Sequence, residues 1–139
     1  MTESEVKKRL ISARIAQKEY ALALEKANCF DMMISSPKSG GFGERSADST
    51  GKNKTEEKLL LALSYHEKAK ALEQKMIDAR RDVEEYITLL SLQSEREIIT
   101  RRYLMCQTWE QIAASTGYSV RQTTRLHTKA LEKISERCP

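Results

Sequence analysis

Four basic side chains recur at intervals of four near the end of this 139-residue chain: Arg121, Arg125, Lys129 and Lys133. On an α-helix that spacing forms one gently drifting ridge. Between them lie Gln122, Thr124 and Thr128, short polar groups able to read base edges. In the major groove arginine pairs with guanine O6 and N7, glutamine pairs with adenine N6 and N7, and a threonine methyl touches thymine. A solvated helix face also carries cations, so the ridge takes its meaning from what precedes it.

What precedes it is a tightly constrained turn. Residues 108–134 read TWEQIAASTGYSVRQTTRLHTKALEKI, a short amphipathic helix, a glycine and a longer helix covering about 119–134. Gly117 falls where the first helix must end at positive φ, a conformation that a Cβ opposes. Thr108 with Gln111, and Ser119 with Gln122, each place a hydroxyl at an N-cap and an amide three residues on, so two reciprocal caps are expected. Ile112 and the small Ala113 should face inward, Tyr118 should pack beneath the turn, and Leu126, Ala130 and Ile134 should continue an apolar stripe. Thr116 and Thr123 stand where larger apolar groups would pack better. An ordinary two-helix hairpin would share the glycine turn. The difference is that the basic ridge starts at the N-terminus of the second helix, where recognition helices meet bases.

Residues 94–134 resemble region 4 of sigma-70-type factors. The matching elements are Arg101, Arg102 and Tyr103; Trp109, Glu110, Ile112 and Ala113; Gly117, Tyr118 and Ser119; and Lys129, Ala130, Leu131 and Ile134. The resemblance implies that Val120, Arg121, Thr124 and Arg125 occupy DNA-reading positions, although Val120 departs from the basic or polar residue frequent there. The candidate DNA-binding set is therefore Ser119, Val120, Arg121, Gln122, Thr124, Arg125, Thr128 and Lys129, with Arg101, Arg102 and Lys133 as candidate phosphate contacts. His127 replaces an acidic or polar family position and is expected to face solvent or phosphate. The whole layout is similar to small phage and prophage transcriptional regulators of the ArpU/RinA type.

The earlier part of the chain is written as paired long helices. From Ala62 a seam runs through Tyr65, Ala69, Leu72, Met76, Ala79, Val83, Tyr86 and Leu90, in alternating steps of three and four. A second seam runs Val6, Leu10, Ala13, Gln17, Tyr20, Leu24 and Ala27, then fades at Asp31 and Ile34. Such spacing keeps one stripe against a partner helix. Residues 35–54 hold four of the five glycines and read as a mobile loop, with Thr55 as cap of the next helix. Gly41-Phe42-Gly43 within it has no preceding strand and no GK[ST], so a phosphate loop is not indicated. The expected architecture is all-α. A helical hairpin or coiled coil fills 1–91 and a helix-turn-helix unit fills 92–139, with a hinge at 91–94 and a Ser94–Glu97 capping box.

Charge divides along the same line. Residues 94–139 carry eight basic and five acidic side chains, net +3, whereas 56–93 carry six and eight, net −2. An acidic segment is repelled by phosphate and a basic one attracted. The longest run of large apolar residues with alanine, Leu59–Leu63, is far short of the roughly 20 needed to span a bilayer. Cys29, Cys106 and Cys138 form no CxxC pair, so neither a disulfide framework nor a zinc site is expected. Cys29 and Cys106 read as small apolar fillers and Cys138 as a free thiol.

No grouping of His, Asp, Cys or Ser has a spacing suited to nucleophilic, metal or acid–base chemistry, so neither an enzyme nor a cofactor is expected. The partners expected are double-stranded DNA, host RNA polymerase (from the sigma resemblance) and a second copy of the chain, a dimer through the coil, all in the cytoplasm of a bacterial host cell. The alternative is a DNA-packaging recognition subunit like those of small terminases, which also join a helix-turn-helix to oligomerising helices.

Overall fold

A computed structural model describes residues 1–35 and 49–139, and among these every regular element is helical. The elements are α1 (Glu3–Ser35), α2 (Ser49–Thr88), α3 (Gln93–Ile99), a π-helical segment (Thr100–Leu104), α4 (Trp109–Thr116) and α5 (Val120–Arg137). Most of the expected 35–54 loop, the Gly41-Phe42-Gly43 sequence included, lies outside the described residues. Its last part is helical, because α2 begins at Ser49, six residues before Thr55, which is therefore no cap. Runs of Glu, Lys, Ala and Leu, all strong helix formers, explain why α1 and α2 continue so far.

Met1–Lys18 and Gln74–Pro139 form one compact unit, and Glu19–Glu73 forms another. In the first unit Val6, Leu10 and Ala13 of α1 meet Val83, Tyr86 and Leu90 of α2, and both sets pack on Ile99, Tyr103, Ala130, Leu131 and Ile134. Full burial of a Val, Leu or Ile side chain stabilises by about 1.5–3 kcal/mol. One apolar core thus crosses the expected boundary at 91/92, and residues 91–94 join parts of a single unit rather than two bodies. Polar bonds fix the same junction. Arg96 Nε donates to Leu90 O at 2.6 Å, and Arg137 donates to Leu89 O.

Within this unit Arg9 lies by Tyr86 and Gln17 by Arg80, so the N-terminal part of α1 runs antiparallel to the end of α2. In the second unit Ala27, Ala62 and Ala69 are buried, Phe30 meets Tyr65 edge-on at 5.4 Å, and His66 lies 2.6 Å from Asp31. The two seams are therefore paired within one chain. None of the described helices is long and apolar enough to cross a membrane.

The π-helical segment sets the shape between α3 and α4. Met105 N bonds back to Thr100 O at 3.0 Å, and Cys106 then turns the chain with φ of 54°. This widened end leaves carbonyls pointing away from any helical donor. Side chains from α1 and α2 satisfy them. Gln17 Nε2 donates to Tyr103 O, and Arg80 Nη1 reaches Leu104 O at 3.2 Å while also holding Gln17 Oε1 at 2.8 Å. Gln17, the polar residue in the first seam, is buried because it serves this end.

Candidate nucleic-acid interface

Thr108 and Gln111 form the reciprocal cap that starts α4: Gln111 N donates to Thr108 Oγ1 at 3.2 Å, and Thr108 N donates to Gln111 Oε1 at 2.9 Å. α4 ends at Gly117 with φ of 82°, in the left-handed region, and Gly117 N bonds to Ala113 O. Ser119 then caps α5 by accepting from Gln122 N at 3.1 Å. Here only half of the expected box forms, which leaves the Gln122 amide half-exposed and outside the cap. The third box is absent. α3 begins at Gln93 with Leu92 as its N-cap, so Ser94 already lies inside the helix, and Glu97 pairs with Arg101 at 3.0 Å.

The inward face of α5 is Thr123, His127, Ala130, Leu131 and Ile134. Leu126 is half-buried, one position off the stripe expected from it. Thr123 fits an apolar setting because its hydroxyl donates to Val120 O at 2.7 Å, and Thr116 bonds Ile112 O at 2.8 Å in the same way. Tyr118 does not pack beneath the turn; it is exposed, while Ile112 is fully buried.

His127 also departs from expectation. It is buried rather than facing solvent or phosphate, with Nε2 2.6 Å from Tyr103 Oη and its ring edge-on to Trp109 at 4.9 Å. Burial, helped by the charges of Lys7 and Arg102, pushes its pKa down to about 4. Burial pushes the Tyr103 phenol up to about 12. Both groups are therefore neutral at pH 7, as a buried polar pair should be.

The outward face carries most of the candidate reading residues. Ser119, Val120, Arg121, Arg125, Thr128 and Lys129 are exposed, and Gln122 and Thr124 are half-buried. Thr124 and Thr128 hydroxyls donate back to Arg121 O and Thr124 O. No ion pair holds Arg121, Arg125 or Lys129 among the described residues.

The candidate phosphate contacts divide differently. Lys133 lies 2.7 Å from Glu95, a carboxylate only 1% exposed, so it neutralises a buried charge. Arg101 pairs with Glu97. Arg102 has no carboxylate partner among the described residues. Its guanidinium lies over the Trp109 ring at 4.3 Å and donates to Gln107 O at 3.1 Å, and burial together with the Arg14 charge lowers its pKa. Trp109 is therefore half-buried between Arg102 and His127. All three cysteines are free; Cys29 is exposed rather than a filler, and Cys106 and Cys138 are half-buried.

Sequence reasoning missed a further group. Lys7, Ile11, Arg14, Ile15 and Lys18 of α1 line a cleft of about 500 Å³ with Arg102, Tyr103, Trp109, Thr124, His127 and Thr128. The available signal was the pair Ile11 and Ile15, apolar yet off the α1 seam. No protein-family model, no curated protein and no solved structure matches this chain.

Proposed function

We propose that the chain is a sequence-specific regulator of transcription that binds double-stranded DNA through a helix-turn-helix made of α4 and α5. In this reading α5 enters the major groove. The observation that carries the proposal is the N-terminal half of α5. There Ser119, Arg121, Arg125, Thr128 and Lys129 are exposed, the cations have no ion-pair partner among the described residues, and the helix is held from behind by Thr123, His127 and Ala130. Cations free of carboxylates, beside hydroxyl and amide groups on a rigid helix, are what base-edge and phosphate contacts require.

A single module of this type buries only about 600–1,000 Å² on DNA, so tight specificity needs help. Self-association supplies it in this proposal. Leu22, Leu59, Leu60, Leu61 and Leu63 of the second unit are all exposed, more large apolar surface than one short helical stretch ordinarily leaves in water. A dimer would present two reading helices to half-sites about 34–36 Å apart. Contact with bacterial RNA polymerase, and a place in the cytoplasm of a phage-carrying host, follow from the sigma-like and ArpU/RinA-like sequence.

The test is enrichment of duplexes from a random pool by the full chain at moderate salt. A recurring motif, two-fold symmetric for a dimer, is the expected result. Recovery of unrelated sequences after several rounds would overturn the proposal. Mass in solution separates it from the packaging alternative, which calls for a ring of many chains.

A further inference from the structure

The cleft beside α5 contains four cations and no carboxylate. Lys7, Arg14 and Lys18 come from α1, and Arg102 comes from the π-helical segment. Lys7 and Lys18 are exposed and have no ion-pair partner among the described residues. Arg14 Nη2 donates only to backbone, to Cys106 O and Gln107 O at 3.4 Å each, and its buried Nε has no partner at all. Arg102 lies over the Trp109 ring and donates to Gln107 O, and no ion pair balances its charge among the described residues. Such a concentration of like charge is unfavourable unless an anion joins it.

Position identifies the anion. Thr124 and Thr128 belong both to the lining of this cleft and to the candidate reading face of α5. A duplex whose bases meet Thr124 and Arg125 would bring its sugar–phosphate edge alongside the α1 stripe. From Lys7 to Lys18 that stripe is roughly 16 Å long at 1.5 Å per residue, enough to pass several phosphates. We infer that the α1 face formed by Lys7, Arg14 and Lys18, with Arg102 behind it, is a second DNA-contacting element that grips the backbone next to the groove read by α5. The inference rests on the proposed reading by α5. It adds that the first helix, far away in sequence, is part of the same interface. Ile11 and Ile15, exposed between the lysines, supply the apolar surface against which deoxyribose packs.

The experiment compares the full chain with Lys7→Gln/Lys18→Gln and with Arg121→Ala/Arg125→Ala, on a duplex selected by the wild type and on a scrambled duplex. The Lys7 and Lys18 side chains make no ion pair among the described residues, so the first variant should fold normally, as circular dichroism and thermal melting would show. Two lost phosphate contacts make the log–log salt dependence shallower by about 1.8. Between 50 and 200 mM salt the variant should therefore lose about 12-fold less affinity than the wild type, equally on both duplexes. An unchanged slope and affinity in this variant, while Arg121→Ala/Arg125→Ala abolishes preference for the selected duplex, overturns the α1 contact and leaves the α5 reading standing. Failure of the wild type to enrich any duplex in the selection overturns both. Loss of binding to an acidic peptide in the lysine variant, with DNA affinity unaltered, would also overturn the inference and assign the cleft to a protein partner.

Discussion

Protonation of His127 should loosen the frame that carries α5, and its size can be worked from the burial of the ring. The unfolded chain takes up a proton on this imidazole near pH 6.5, whereas the folded chain does so only near 4. Between those values the unfolded state binds more protons, so stability is fully present above about pH 6.5 and is lost as the pH falls towards about 4. At about 1.4 kcal/mol per pKa unit the total is roughly 3 kcal/mol, of which about 2 kcal/mol is lost between pH 7.5 and pH 5. The assay is urea unfolding of the wild type and His127→Gln at several pH values. Subtracting the two removes the carboxylate titrations common to both. The difference should fall by about 2 kcal/mol from pH 7.5 to pH 5. A flat difference, or a His127 C2 proton in NMR that titrates near pH 6.5, would refute the reasoning.

Two further expectations concern stability. Lys133→Ala leaves Glu95 buried and unpaired, and unfolding should become easier by roughly 2–4 kcal/mol; Glu95→Gln/Lys133→Gln should recover most of that, and denaturant midpoints of the three chains decide the matter. Gly117→Ala meets open space, since nothing lies within 4 Å of the added Cβ, yet it must hold φ of 82°. The loss should be about 1–2 kcal/mol from backbone conformation alone, read by thermal melting, and Gly117→Asn should lose less.

Helix positions were legible wherever periodicity was strong. Every residue of the α1 seam from Val6 to Ala27, and of the α2 seam from Ala62 to Leu90, is buried or half-buried, because a stripe with steps of three and four has only one way to face a neighbour. Gly117 and the Thr108–Gln111 cap were equally readable, since backbone geometry dictates their residue types. The partition of the core was not. Val6, Leu10 and Ala13 look the same whether they meet another long helix alone or also the base of α5, and it is the tertiary packing that brings Ile99, Ala130 and Ile134 into that core.

His127 was misread because the sigma resemblance placed it at an acidic or polar position. Its spacing from Thr123, Ala130 and Ile134 (four, three, four) already placed it inward. The π-helical segment leaves no periodic trace, so the roles of Gln17, Arg80, Arg14 and Arg102 at its end could not be read from spacing. The charge ridge was only partly what it looked like. Arg121, Arg125 and Lys129 have no ion pair among the described residues, whereas Lys133 answers Glu95, a pairing across 38 residues that no local pattern announces.

The claim that α5 reads bases is tested most directly by the ratio of affinities for a selected and a scrambled duplex, measured at one fixed salt concentration for the wild type and for Arg121→Ala/Arg125→Ala. A wild-type ratio of about 10³ or more is expected. Each lost bidentate contact should lower that ratio roughly 10- to 100-fold, with the affinity for scrambled DNA changed far less. Equal losses on both duplexes would mean that these arginines only attract phosphate, and would contradict the account.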